Sequence, residues 1–156
     1  IPSRCALVGD AQMIRLPLAS ALVVLAGLTA VTPASANDVR FDQYGWSNSA
    51  GGSQQGYRNR IRVHQDGRYN RSVSEQRGSH NLSVVGQEGR RHYGATYQNG
   101  SRNSAGIGQF GSDHTTIISQ DGHGNIAAGV QVGRGCSADV AQGGSGNVAA
   151  LVQACD

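Results

Sequence analysis

The chain has 156 residues, of which 23 are glycine and 3 are proline, and its formal net charge is +3. This length accommodates one domain and excludes a large multidomain protein. All three prolines lie before residue 37, so the rest of the chain has no residue that would interrupt a β-ladder.

The chain is predicted to divide into three segments. We interpret residues 1–12 as upstream non-native translation, because Met13 is the first plausible initiator. Residues 13–36 are predicted to be a signal peptide, and residues 37–156 to be the folded, exported domain.

The signal peptide is predicted from the order of its parts. Arg15 supplies a positive start, residues 16–31 are uncharged and mostly apolar, and Ala34-Ser35-Ala36 fits a small-residue cleavage site. The alternative is an uncleaved membrane anchor, since 22 uncharged residues lie between Arg15 and Asp38. Cleavage predicts a secreted, extracellular protein.

Charge is distributed unevenly along the predicted domain. It contains eleven arginines and no lysine, and nine arginines fall between Arg58 and Arg102 against three acids, a local net charge of +6. From Ser104 onward one arginine stands against four acids. The basic half is either a solvated charged face or a contact for anionic matrix polymers, and no specific nucleic acid is predicted.

Glutamine and glycine recur with a period of eleven through the whole domain. The glutamines are Gln43, Gln54, Gln65, Gln76, Gln87, Gln98, Gln109, Gln120, Gln131, Gln142 and Gln153. Two positions after each glutamine stands a predicted turn glycine, except after the last, where Cys155 stands. These glycines are Gly45, Gly56, Gly67, Gly78, Gly89, Gly100, Gly111, Gly122, Gly133 and Gly144.

Asparagine usually follows each glutamine by five positions. These asparagines are Asn48, Asn59, Asn70, Asn81, Asn103, Asn125 and Asn147. His92, His114 and Cys136 take the same position in three of the later repeats. All three lie in even-numbered repeats, so odd and even repeats differ.

Each repeat predicts one strand and one turn. Its unit is Asn-x-φ-x-φ-x-Gln-x-Gly with two turn residues, where φ is usually apolar and alternate positions share one face. No φ position is charged, whereas the intervening positions include Arg60, Arg62 and Glu75. The Asn, φ and Gln side chains are therefore predicted to face inward, since burying unpaired charge is costly.

Stacking is the way such short strands can bury an apolar face. The sequence therefore predicts an all-β fold, a two-sided parallel β-solenoid. Because odd and even repeats differ, each rung is predicted to have 22 residues in two 11-residue arcs. Eleven arcs make about five and a half rungs. Inward Gln and Asn side chains are expected to form structural ladders, each amide bonding to the identical amide above and below.

The 22-residue pattern resembles a known family. Ser-x5-Gln-x-Gly-x-x-Asn-x-Ala-x3-Gln is similar to the curlin repeat of bacterial curli subunits, and here it appears as His92-x5-Gln98-x-Gly100-x-x-Asn103-x-Ala105-x3-Gln109. Further copies run over residues 114–131, 136–153, 48–65 and 70–87, and the serine that opens the family repeat is replaced by Asn, His or Cys.

The resemblance implies a subunit that polymerises rung on rung into extracellular curli-like amyloid fibres of the biofilm matrix, with a role in surface adhesion. Its implied partners are copies of itself, a curlin nucleator or major-subunit paralogue, and the curli export machinery. Major subunit and nucleator both remain open. The alternative is a non-polymerising secreted β-solenoid that acts as an adhesin or glycan-binding protein.

Other signals point away from an enzyme. The glycine motif Gly106-x-Gly108-x-x-Gly111 is followed by no helix pattern, so no cofactor is predicted. His92 and His114 share a slot 22 residues apart and fit a polar ladder of neutral imidazoles better than a metal site. No nucleophile and base recur in register, so no catalytic residue is predicted.

A disulfide is predicted between Cys136 and Cys155. Cys136 opens one arc and Cys155 takes the glycine slot that closes the next, so a two-strand rung brings both to the same corner. Export supplies an oxidising compartment, and Cys5 would be lost with the leader. The alternative is two unpaired thiols packed as small hydrophobic groups.

Overall fold

A computed structural model describes residues 36–156 of the chain. The predicted upstream segment 1–12 and almost all of the predicted signal peptide 13–36 lie outside the described residues. The described part contains eleven strands: β1 Asp38–Trp46, β2 Ser49–Tyr57, β3 Arg60–Arg68, β4 Arg71–Ser79, β5 Leu82–Arg90, β6 Tyr93–Ser101, β7 Ser104–Ser112, β8 Thr115–His123, β9 Ile126–Arg134, β10 Ser137–Ser145 and β11 Val148–Cys155. Residues 36–156 include no helix long and apolar enough to cross a membrane.

The strands form two parallel sheets in which odd and even strands separate. One sheet has six strands in the order β1-β3-β5-β7-β9-β11, and the other has five in the order β10-β8-β6-β4-β2. Paired residues are 22 positions apart, so that Gln65 pairs with Gln87 and Gln76 with Gln98. The predicted two-sided β-solenoid of 22-residue rungs is thus confirmed.

Left-handed backbone at two positions per arc produces the tight corners. The repeat glycine near the end of every strand from β1 to β10 has positive φ, as at Gly67 with +121°. The second turn residue is also left-handed, and in seven arcs it is not glycine, as at Tyr69 with φ 60°. In three later arcs the same position is Gly124, Gly135 or Gly146, which adopt this conformation at lower cost.

The interior between the sheets is small and partly polar. Its apolar cluster includes Ile61, Val63, Val85, Ile107 and Ile118, each no more than 4% exposed. Because the buried apolar surface is small, side-chain hydrogen bonds make many of the contacts in the interior.

A hydroxyl cluster fills three φ positions of the middle rungs, those of Ser74, Ser83 and Thr96. Ser83 Oγ lies 3.1 Å from Ser74 Oγ and 2.6 Å from Thr96 Oγ1, and Thr96 Oγ1 donates to Ser74 Oγ over 3.0 Å. These buried hydroxyls bond to one another across the two sheets, so their burial is compensated.

The inward positions of the first strand are less buried than the repeat pattern implies. Val39 is 45% and Phe41 39% exposed. Both lie in β1, which has a strand neighbour on one side only within residues 36–156. Full burial therefore requires a rung on both sides.

Candidate functional site: polar ladders and free strand edges

Two glutamine ladders run through the interior, one along each sheet. Nine Nε2–Oε1 hydrogen bonds of 2.6 to 3.1 Å join every repeat glutamine to the one 22 residues on. Gln87, for example, accepts from Gln65 over 2.7 Å and donates to Gln109 over 2.8 Å. Its Nε2 also donates to the backbone carbonyl of Arg71 in the opposite sheet, 3.0 Å away. Each amide thus joins three consecutive rungs and both sheets.

The repeat asparagines hold the corners. Asn59 Oδ1 accepts from the backbone N–H of Asn81 over 3.1 Å, and Asn59 Nδ2 donates to the carbonyls of Gln55 and Gly78 over 3.3 and 2.9 Å. The same three contacts recur at Asn70, Asn81, Asn103 and Asn125. The period of eleven locates these residues, but it does not reveal their backbone partners.

His92 and His114 reproduce the asparagine contacts with ring nitrogens. Each Nδ1 accepts from the backbone N–H 22 residues on, His114 at 3.3 Å and Cys136 at 3.1 Å. Because Nδ1 accepts, Nε2 carries the proton and donates to a carbonyl four residues back, that of Glu88 or Phe110, at 3.1 Å. The rings stack with centroids 5.0 Å apart. Burial lowers the pKa of His92 below its ordinary value, although a hydrogen bond to the Glu88 carbonyl acts the other way.

The repeat glycines stack so closely that no side chain fits. A Cβ placed on Gly111 would overlap the carbonyl oxygen of Gly133, and each repeat glycine from Gly45 to Gly133 has the same relation to the residue 22 positions on. Left-handed backbone and this close approach together explain the regular glycine.

Cys136 and Cys155 form a disulfide with a Cα–Cα separation of 5.7 Å and a sequence separation of 19. The Cys136 backbone N–H still donates to His114 Nδ1. The bridge therefore joins the last corner of the described solenoid without breaking the column of opening residues.

Four strands leave an edge unpaired within residues 36–156. They are β1 and β2 at one end, and β10 and β11 at the other. The ladders are correspondingly open: Gln54 Oε1 is buried and has no hydrogen-bond partner. At the far end Gln153 Oε1 accepts from Gln131 Nε2 over 2.9 Å, which leaves the Gln153 amide nitrogen available to a further rung. The ends thus offer complementary donors and acceptors.

The outer surface carries the charges, and few of them pair. Its ion pairs include Arg91 with Asp113, whose Nη2–Oδ2 distance is 2.9 Å. The hydrogen bond from Arg91 lowers the pKa of Asp113 to about 2. A shallow groove of ≈ 570 Å³ runs along one corner, with four column glycines, Trp46, Arg68, Arg90 and Ser112 as its lining. Arg68 and Arg90 have no acidic partner within residues 36–156.

The remaining sequence signals lie in regular strands. Gly106, Gly108 and Gly111 all belong to β7, so the motif is not a strand–turn–helix loop. Among residues 36–156, no three His, Cys, Asp or Glu side chains are grouped to hold a metal ion.

Comparison with known proteins identifies the repeat. A family model described as the curlin associated repeat matches residues 56–89 and 93–122, which confirms the resemblance drawn from the sequence. No curated protein and no solved structure matches the chain.

Proposed function

Because residues 56–89 and 93–122 match the curlin associated repeat, we propose that the chain is a structural subunit of extracellular curli-like amyloid fibres. Subunits polymerise by adding rung to rung, so that the fibre is one continuous β-solenoid. It contributes to the biofilm matrix and to surface adhesion.

The open ladders at both ends carry this proposal. The edges of β1 and β2, and those of β10 and β11, each present a row of backbone donors and acceptors to a further strand. An unpaired buried amide oxygen such as Gln54 Oε1 costs about 1–3 kcal/mol. A second copy supplies the missing partner, because every rung has the same ladder design.

Partners follow from the proposed route and the surface. The signal peptide at residues 13–36 directs export, the curli export machinery carries the chain out of the cell, and a nucleator or major-subunit paralogue acts on it there. Anionic matrix polymers bind along the arginine-rich part, where Arg68 and Arg90 line the groove without acidic partners. Guanidinium groups suit this role because they pair with carboxylate and phosphate groups.

Fibre formation by the exported chain tests the proposal. We expect amyloid-dye fluorescence to rise after a lag, and fibre diffraction to give reflections near about 4.7 and 10 Å. A chain that stays monomeric for days at micromolar concentrations and above, where unpaired strand edges drive aggregation, would instead favour a non-polymerising adhesin or glycan-binding solenoid.

A further inference from the structure

We infer that successive subunits in the fibre are related by about half a turn around the fibre axis, as in a heterologous helical assembly. In this arrangement β1 of an added copy pairs with β10 of the copy before it, and β2 pairs with β11. The six-stranded sheet of one subunit then continues into the five-stranded sheet of the next. This inference rests on the proposed polymerisation and specifies its contact.

The unequal sheets are the first reason. β1 and β11, the outermost strands of the described solenoid, both belong to the six-stranded sheet. An unrotated copy would set its β1 on β11 and leave a vacant strand position between β10 and its own β2. A half-turn fills that position, so two strand pairs form at each junction instead of one. Twice as many backbone groups are then satisfied.

The orphan oxygen of Gln54 is the second reason. Continuing the 22-residue columns with a half-turn places Gln153 directly beneath Gln54 of the added copy. The Gln153 amide nitrogen then donates to the buried Gln54 Oε1, which has no partner in the single chain. Without rotation Gln54 faces the vacant strand position and remains unpaired.

Charge on the outer face is the third reason. Continuing β10 into β1 sets Asp139 against Arg40 of the added copy, which are opposite charges. The unrotated register sets Ala150 against Arg40, and the exposed Val148 and Val152 against Asp38 and Asp42. An exposed ion pair adds little free energy, so it selects the register more than it provides affinity. Cys155 lies beneath a glycine column in both arrangements and does not distinguish them.

Two cysteine-pair variants of the full, exported chain distinguish the arrangements. Arg40→Cys/Asp139→Cys places thiols on facing outward positions of neighbouring subunits after a half-turn, and Arg40→Cys/Ala150→Cys does so without rotation. Neighbouring strands lie about 4.8 Å apart, within the range a disulfide spans. Fibres are oxidised mildly, dissolved without reductant and separated by size, with Arg40→Cys alone as the control.

We expect covalent oligomers from Arg40→Cys/Asp139→Cys, at least about tenfold more than from Arg40→Cys/Ala150→Cys, since only facing positions meet the distance limit. The reverse ratio overturns the half-turn while leaving polymerisation intact. If the native chain forms no fibres, the proposed function fails and the half-turn with it.

Electron microscopy of native fibres gives a readout that needs no variant. A half-turn predicts an axial rise of about 26 Å per subunit, five and a half rungs at about 4.8 Å each. The unrotated arrangement, with its vacant position, predicts about 29 Å and no large rotation. A rise near the larger value would overturn the inference even if cross-linking of the variants were weak.

Discussion

Cys136 and Cys155 occupy the two positions, 19 residues apart, that Asn125 and Gly144 occupy in the preceding arc. There Asn125 Nδ2 donates to the Gly144 carbonyl over 3.1 Å, and the same contact joins Asn59 to Gly78 and Asn103 to Gly122. The disulfide thus replaces a recurring hydrogen bond with a covalent one at the last corner. The corner that the other repeats hold with a hydrogen bond is thus held by a disulfide at the last rung of the described chain.

This equivalence leads to a prediction about stability. Cys136→Ser/Cys155→Ser is expected to lower the free energy of unfolding of the monomer by about 3 kcal/mol, the value for closing a loop of this size. Cys136→Asn/Cys155→Gly restores the repeat pattern and should recover about 1 kcal/mol of it through one hydrogen bond. Urea unfolding followed by circular dichroism measures both. Equal stability of the two double variants would contradict the equivalence.

The buried His92 predicts that acid weakens the solenoid. Because burial lowers the pKa of His92, the unfolded chain binds more protons than the folded one below the ordinary histidine pKa of about 6.5. The contribution of His92 to stability is therefore complete above that pH and is lost as pH falls toward its folded pKa. Protonation also puts a proton on Nδ1, where the His114 N–H needs an acceptor.

The matched control is His92→Asn/His114→Asn, which uses the residue found at this position in the odd arcs. The urea midpoint of the native chain should fall between pH 7 and about pH 5 more steeply than that of the variant. His64, His80 and His123 are present in both proteins, so the difference isolates the buried pair. Parallel pH profiles would contradict the lowered pKa of His92.

The glycine column predicts a sharp contrast between two glycines of β7. Gly111→Ala forces a Cβ against the Gly133 carbonyl at φ +122°, whereas a Cβ at Gly106 meets no atom within 4 Å. Gly111→Ala should cost at least about 2 kcal/mol of unfolding free energy, and Gly106→Ala less than about 1 kcal/mol. Thermal unfolding of the two variants beside the native chain provides the measurement, and similar losses would contradict the close stacking.

Much of the fold could be predicted from the sequence because the same strand-and-turn pattern occurs eleven times. A fixed interval between glutamines sets the register, and the Asn-to-His change at residues 92 and 114 separates odd from even arcs. The pattern does not predict the contacts that the backbone makes. The carbonyl acceptors of Gln87 and Asn59, and the left-handed turn at Tyr69, depend on how arcs stack. Only the later glycines at 124, 135 and 146 hint at that turn conformation.

End effects are a second limit on prediction from a repeat. Periodicity treats every arc as equal, yet Val39 remains exposed while Ile61, its stacked partner, is fully buried. Gln54 Oε1 lacks a partner for the same reason, although its ladder neighbour Gln76 is satisfied on both sides. The differences come from the number of neighbouring rungs and not from the residue types.

The final strand is expected to govern the rate of assembly. β11 carries no charge, glycine or proline from Val148 to Cys155, and the outward Val148 and Val152 are 73% and 78% exposed. The edge strand β1 instead presents outward charges such as Arg40 and Asp42, and charges at an edge oppose strand addition. Val148→Arg/Val152→Arg places two like charges on the β11 edge, so the lag before dye fluorescence rises should lengthen by about threefold or more.

The control for this change is Ser104→Arg/Gly108→Arg, which adds the same charges in the same outward columns two rungs inside the solenoid. Those positions already have strands on both sides, so their lag should change less than that of the β11 variant. Native and variant chains are compared at equal concentration and at two salt concentrations, because screening shortens the range of charge repulsion. A longer lag that shrinks in high salt for the β11 variant alone locates the effect at the strand edge. Equal lags for both variants would mean that overall charge, and not the edge of β11, sets the rate.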